Sequence, residues 1–235
     1  MSDQANRHGT LEGNDLPREI AGVSIPDSLV CRDATNFVRG CEHPEIFNHS
    51  LRSFILAELI GAARSSKHDT ELLYLATIMH DVGLVAKYHS EWDRFEVDGA
   101  NVARAFIAQH GLNEVQQDTV WDAIALHSSG SIARWKKPEV ALANAGIVTD
   151  VHGVYLKGLD PAAVRAALRF APRTHFVDVF LTDLAAVAQA KPETTANTFV
   201  ADVGYRMVPH FRLRNFVDEL RDDDPLIAFA EPRSP

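Results

Sequence analysis

The chain has 235 residues and a formal net charge of −9, because 32 aspartates and glutamates outnumber 23 lysines and arginines. Hydrophobic residues make up 46% of the chain, a share that is ordinary for a globular protein and excludes extended disorder. The acidic balance disfavours a nucleic-acid partner, since binding along a phosphate backbone needs a basic face. The length suffices for one sizeable core, and a small-molecule substrate stays open.

Cysteine usage and hydropathy bear on the compartment. The two cysteines, Cys31 and Cys41, make no Cys-x-x-Cys pair and no disulfide framework, which is typical of a reducing environment. No apolar run approaches the roughly 18 residues needed to cross a membrane, and the N-terminal segment lacks the apolar core of a signal peptide. We therefore expect a soluble cytoplasmic protein without a membrane partner, and the oligomeric state, including a homo-oligomer, stays open.

The predicted elements begin after a flexible polar tail at residues 1–16. An extended lead-in follows at 18–30, where Pro26 and Asp27 favour a turn or a helix start. Beyond it the apolar period is helical and no segment shows sustained strand-like alternation. Helices are expected within residues 45–66, 70–83, 98–111, 114–130, 138–153, 161–171 and 174–190, with two short ones near 199–207 and 212–221.

The pattern predicts one all-α domain over residues 17–225, a bundle of about eight helices, with a second tail at 226–235. Asp69 and Asn113 are residue types that cap helix N-termini. Proline at 138 and at 161 suits a first helical turn. Gly83 is expected to end the helix that begins after Asp69.

A histidine–aspartate doublet, His80 and Asp81, directly follows the apolar segment "LLYLATIM". Burying an imidazole and a carboxylate there is costly unless the two are paired or hold a metal. A histidine at a helix C-terminus can be explained by the helix dipole alone, but a carboxylate is disfavoured at that end. The doublet therefore indicates a compensating cation.

Other histidines and one aspartate lie on helix faces or at helix ends: His49, His110, His127 and Asp150. Each has an ordinary alternative, such as a structural histidine, a polar helix end or a surface aspartate. Together with the doublet, however, they supply imidazoles and carboxylates from several helices. Such a mixed nitrogen and oxygen set suits zinc, iron, manganese or magnesium.

The order His49, His80–Asp81, Asp150 resembles that of the HD-domain superfamily, helical metal-dependent hydrolases named after the doublet. The segments "FNHSLRS", "MHDVGL", "RFEVDGANVARAF" and "IALHSSGSIARWKKPEVALANAG" are similar to the cyanamide hydratase branch. The resemblance implies a single HD domain whose metal is held by His49, His80, Asp81 and Asp150. It implies zinc, with iron or manganese as alternatives, and a hydro-lyase that hydrates cyanamide to urea.

In such a reaction, water activated by the metal attacks the electrophilic carbon of the substrate. The nitrile nitrogen then needs a proton, and His127 and Lys87 are the candidates for donating it or for orienting the donor. Arg52, one turn after His49, is a candidate contact for a polar substrate group, with a surface salt bridge as its alternative. Four aromatic residues are candidates for the pocket wall, with core packing as their alternative: Phe47, Trp92, Phe95 and Trp135.

Three other functions compete. A phosphohydrolase acting on a nucleotide or another phosphomonoester needs cations at the metal, and Arg52, Lys87 and Arg94 form no compact basic cluster. A di-iron oxygenase, similar to myo-inositol oxygenase, needs a larger ligand set, which His110 and His127 would complete. A non-catalytic helical module with a structural or lost metal site is disfavoured, because all four ligands are present and no cysteine lies near them.

Overall fold

The computed structural model describes residues 16–222 and Leu226. The tails predicted at 1–16 and 226–235 therefore lie outside the described residues, apart from one residue of each. Apart from one small two-stranded pair, the regular secondary structure of the described part is helical, which confirms the predicted all-α class. It contains eleven α-helices rather than about eight, and one of these is a single turn.

The helices are α1 (Leu29–Arg39), α2 (Pro44–Ala63), α3 (Thr70–Ile78), α4 (Phe95–Gln109), α5 (Glu114–Ala125), α6 (Gly130–Ala133), α7 (Pro138–His152), α8 (Pro161–Phe170), α9 (Phe176–Ala190), α10 (Phe199–Met207) and α11 (Phe216–Asp222). The predicted extended lead-in forms a small antiparallel pair, β1 (Glu19–Ile20) and β2 (Val23–Ser24). Ala21 and Gly22 between them both have positive φ, the conformation that a two-residue hairpin turn requires.

Predicted helix starts are confirmed where the sequence carries a capping residue. The Asp69 carboxylate accepts hydrogen bonds from the backbone N–H groups of Glu71 and Leu72. Asn113 and Gln116 cap α5 reciprocally, each side chain accepting from the other's backbone N–H. Proline occupies the first turn of α7 and of α8. These starts depend on contacts within one turn, so a local pattern predicts them.

Gly83 does not end α3, and this prediction was wrong. The helix ends at Ile78, and Gly83 lies in a short 3₁₀ helix, Val82–Leu84, that runs against the first turn of α4. A Cβ atom at Gly83 would overlap the carbonyl oxygen of Phe95, so glycine is needed for a close approach between two segments. α4 begins at Phe95, earlier than the predicted residue 98.

The first of two compact units extends to Asp183, and the packing of α2 against α7 is its most extensive helix contact. A Cβ atom at Gly146 of α7 would overlap the carbonyl oxygen of Ser53 of α2. The absence of a side chain there lets the two helices lie close together. This contact brings Asp150, one turn after Gly146, next to His49 on α2.

The second compact unit begins at Leu184. It contains α10, which matches the helix predicted near 199–207, and α11, which starts four residues later than predicted. Within this unit the ring of Phe211 packs on Gly204 and lies 5.0 Å from the ring of Tyr205. In the described part of the chain no helix is long and apolar enough to cross a membrane. The single domain over 17–225 stays a prediction.

Candidate metal centre

Three predicted metal ligands meet inside the first unit. His49 projects from the middle of α2, and His80 and Asp81 lie in the turn after α3; each is only 1% exposed. The Nε2 atoms of the two histidines are 3.2 Å apart. The Asp81 Oδ2 atom lies 3.2 Å from His80 Nε2 and 3.8 Å from His49 Nε2.

Hydrogen bonds on the far side of each ring fix the histidine tautomers. His80 Nδ1 donates to the carbonyl oxygen of Thr77 at 2.8 Å, and His49 Nδ1 donates to Asp150 Oδ2 at 2.7 Å. With both Nδ1 atoms protonated, the two Nε2 atoms of the neutral rings carry lone pairs. Two lone pairs that face each other across 3.2 Å repel unless a positive charge lies between them, either a metal ion or, in the metal-free protein, the proton that the raised pKa of His80 favours. A positive charge at the centre of the cluster would therefore stabilise this arrangement.

The ligand spacing fits a four-coordinate metal. Zinc–nitrogen bonds of about 2.0–2.1 Å at a tetrahedral angle place two nitrogens roughly 3.3–3.4 Å apart. The Nε2 atoms of His49 and His80 come close to that separation. Both oxygens of the Asp81 carboxylate are buried and have no hydrogen-bond partner among the described residues. Because a buried carboxylate without partners is costly, Asp81 has the coordination capacity that a bound cation would fill.

The electrostatics of the doublet agree with a ligand role. Burial by itself disfavours the imidazolium of His80, but the Asp81 carboxylate outweighs it and the pKa of His80 is raised. Burial likewise would raise the pKa of the Asp81 carboxyl, yet His80, His49 and His127 together hold that pKa below its usual range. Asp81 is therefore an anion at neutral pH, the form in which a carboxylate binds a metal.

The fourth predicted ligand, Asp150, lies on the opposite edge of the His49 ring. Besides His49 Nδ1, its carboxylate accepts from Arg52 at 2.7 Å (Nε) and 2.8 Å (Nη2), and from Arg173 Nη1 at 3.0 Å. The structure thus brings His49, His80 and Asp81 to one point and places Asp150 behind His49. Hydrogen bonding from His49 and Arg52 outweighs burial and holds the pKa of the Asp150 carboxyl below its usual range.

Arg52 is not a surface residue. Its side chain is 1% exposed, and besides clamping Asp150 it donates from Nη1 to the backbone oxygens of Ala171 and Pro172, at 3.0 and 2.9 Å. The surface salt bridge considered from the sequence is therefore wrong. Its donors bind the Asp150 carboxylate and backbone oxygens of the segment after α8. Arg52 therefore fixes the carboxylate that accepts from His49 Nδ1.

His127 lies beside the cluster. Its ring is buried and stands edge-on to the ring of His80, with a centroid distance of 4.9 Å. The Nδ1 atom donates to the carbonyl oxygen of Ile124 at 2.8 Å, which leaves Nε2 as the acceptor. Burial, assisted by the charge of His80, lowers the pKa of His127 to about 4. At neutral pH this ring is uncharged, so it is poised to accept a proton rather than to donate one.

The remaining sequence candidates lie apart from the cluster or only border it. Lys87 is exposed, with its Nζ atom 4.6 Å from the centre of the Tyr88 ring, and His110 Nε2 pairs with Asp33 at 3.0 Å. Of the aromatic candidates, two are on the surface and two are buried. Trp92 and Trp135 are 80% and 79% exposed, Phe47 lies beneath the Arg39 guanidinium, and Phe95 packs 5.7 Å from the His127 ring.

Several residues near the site were not identified from the sequence. The rings of Phe176 and Phe180 on α9 lie 4.7 and 6.0 Å from the His49 ring. Buried Glu96 accepts from Arg94 at 2.7 Å and from Ser128 at 2.6 Å. No local signal marks them, because the aromatic spacing on α9 and an acid in the first turn of α4 are both ordinary helix features.

Glu42 is the least expected of the missed residues. Both of its carboxylate oxygens are shielded from solvent and lack a hydrogen-bond partner among the described residues. Burial, followed by the negative charges of Asp81 and Asp183, raises its pKa well above the usual range. In the sequence this glutamate looks like an ordinary acid ahead of a helix, so only the folded chain reveals its burial.

Comparison with known proteins agrees with this geometry. The family model of the HD domain matches residues 46–155, a segment that contains His49, His80, Asp81 and Asp150. No curated protein matches the chain. The HD-domain match and the buried His–His–Asp cluster together support a similarity of residues 46–155 to the HD domain, whose family members are metal-dependent enzymes.

Proposed function

We propose that the protein is a metal-dependent hydratase that adds water to a nitrile-type carbon, with cyanamide as substrate and urea as product. An HD domain with a buried His49–His80–Asp81 cluster supports a metal-dependent, hydrolase-like enzyme. The similarity of several segments to the cyanamide hydratase branch supports the narrower assignment. We propose zinc as the metal, with Asp150 as a fourth ligand if its carboxylate turns toward the cluster.

The observation that supports the substrate class is that the candidate cations are engaged away from the cluster. Arg52 clamps Asp150, Arg94 pairs with Glu96 and Lys87 is exposed. A phosphate would bring negative charge beside the Asp81 carboxylate, and none of these side chains is free to balance it. Cyanamide is neutral, and its amino group offers N–H donors to the carboxylate oxygens.

The chain's own groups suffice for the proton transfers of hydration. A divalent metal supplies the Lewis acidity that makes water nucleophilic near neutral pH. As the water oxygen bonds to the nitrile carbon, His127 Nε2 accepts one of its protons and returns that proton to the nitrile nitrogen. The product of this step is the imidic-acid tautomer of urea, which rearranges to urea by moving one more proton from oxygen to nitrogen.

The di-iron oxygenase is the weaker rival, because it needs His110 as a ligand. That histidine hydrogen-bonds to the carbonyl oxygen of Phe106 and the carboxylate of Asp33 instead, both of which are acceptors, outside the buried cluster. The phosphohydrolase is the stronger rival, since it needs only the same single metal site.

The test is metal quantification on the purified protein, followed by assays of urea release from cyanamide and of phosphate release from p-nitrophenyl phosphate. We expect one zinc per chain and urea release that is lost in His80→Ala together with the metal. His110→Ala is the matched control and should retain both. No urea above background from the zinc-loaded protein would overturn the substrate, and phosphate release in its place would favour the phosphohydrolase.

A further inference from the structure

A cavity of about 250 Å³ is lined in part by Asp150 but not by His49, His80 or Asp81. Helices α2, α7 and α8 and the turn after α7 enclose it, and we call it the rear cavity. Most of its wall is apolar: Leu56, Val151, Leu156, Val164, Ala167 and Leu168. A cavity of about 150 Å³ is large enough for benzene, so this one has room for an organic molecule of roughly ten non-hydrogen atoms.

The polar end of the rear cavity consists of Arg52, Asp150 and Arg173. Two guanidinium groups face one carboxylate here, because Asp150 pairs with both arginines. The polar end therefore carries one positive charge that no described partner neutralises.

Arg173 has donors to spare at this end. Among the described residues, its hydrogen bonds all come from Nη1, which donates to the backbone oxygen and the Oδ2 atom of Asp150. The Nε and Nη2 atoms remain for a ligand, and the guanidinium is oriented by the Phe176 ring, whose centre is 4.6 Å from Cζ. An oriented arginine with a free edge is suited to a carboxylate or a similar planar anion.

We propose that the rear cavity binds a small organic anion with a hydrocarbon body, of the kind represented by a short-chain carboxylate. The anionic head lies on Arg173 and balances the excess charge, and the hydrocarbon body packs on the leucines and valines of α2, α7 and α8. The site is distinct from the metal centre, since His49, His80 and Asp81 do not line the rear cavity. It does not depend on which reaction the metal centre catalyses.

The probe is sodium hexanoate, titrated into the full-length zinc-loaded protein by isothermal calorimetry, with 1-hexanol as the uncharged analogue. We expect a saturable site with a Kd on the order of 1 mM, as eight non-hydrogen atoms allow. Hexanol should bind at least tenfold more weakly. Equal affinity for hexanol, or no binding of hexanoate, would overturn the proposal.

Two variants locate the site. Arg173→Gln should weaken hexanoate binding at least tenfold, with Arg169→Gln, an exposed arginine on α8, as its control. Leu168→Trp should block the cavity, and because Leu168 is 39% exposed the indole can fill the mouth without disturbing the core. Val115→Trp, at a 64% exposed position of α5, is its control. Binding that survives Leu168→Trp, for example of hexanoate on the zinc, contradicts the proposal.

Discussion

The two edges of the His49 ring differ in whether the polar groups beside them have hydrogen-bond partners. On the Nδ1 side, Asp150 accepts hydrogen bonds from the ring and from two arginines. On the Nε2 side, a second imidazole lone pair and an unpartnered Asp81 carboxylate face the ring. A buried polar group left without a partner costs about 1–3 kcal/mol. A fold that satisfies one edge fully and leaves the other unsatisfied indicates that a ligand completes the second edge.

The same substitution on the two sides should therefore act mainly on the stability of the metal-free protein at Asp150 and mainly on metal binding at Asp81. Asp150→Asn has the largest expected effect, because it leaves Arg52 buried without its carboxylate. Breaking one partner of a buried ion pair costs about 3–5 kcal/mol in the free energy of unfolding. Urea denaturation of metal-free wild type and variant measures the difference, and a loss below about 1 kcal/mol would contradict the role of Asp150 as the anchor of this side.

The pH dependence gives this prediction a second test. Asp150 has a lowered pKa in the folded protein, so its stabilisation is fully present above the unfolded pKa of about 4 and is lost as the pH falls toward the folded value. The gap in unfolding free energy between wild type and Asp150→Asn should therefore narrow below about pH 4. A gap that stays constant down to pH 2 would mean that the carboxylate charge is not what stabilises this side.

On the other side, Asp81→Asn should remove a metal ligand, so its largest effect is expected on metal binding. We expect metal affinity to fall at least about 100-fold, more than is typical when a residue behind a ligand is changed. Zinc should raise the melting temperature of wild type but not of the variant, because only the form that binds is stabilised. A variant that still gains stability from zinc like wild type would show that the cation does not depend on Asp81.

The smallest expected effect is at Glu42. Its raised pKa means that the ionised carboxylate is less favourable in the folded protein than in the unfolded chain. Removing this charge should therefore stabilise the metal-free protein at pH 7. Glu42→Gln is expected to raise the unfolding free energy by about 1 kcal/mol. Glu45→Gln, in the first turn of α2, is the control and should stay within about 0.5 kcal/mol of wild type. Destabilisation by Glu42→Gln would mean that the carboxylate has a stabilising partner.

The sequence by itself determined the helical class, several helix starts and the candidate ligands. Asp69 and Asn113 act on backbone groups within one turn of themselves, and His80 and Asp81 are adjacent in the chain. Such features depend on short-range geometry, which a pattern of residues encodes directly. The order of the candidate ligands along the chain is also visible in the sequence, because it does not depend on which edge of the His49 ring each residue contacts.

Only the tertiary structure decided how these parts face one another. His49 and Asp150 are 101 residues apart, and they meet because Gly146 lets α7 approach α2 closely. The end of α3 at Ile78, rather than at Gly83, likewise accompanies the close passage of the chain along α4. Contacts between distant segments depend on how whole helices pack, and no local pattern carries that information. That packing set the satisfied and unsatisfied edges of His49, the burial of Glu42 and the rear cavity.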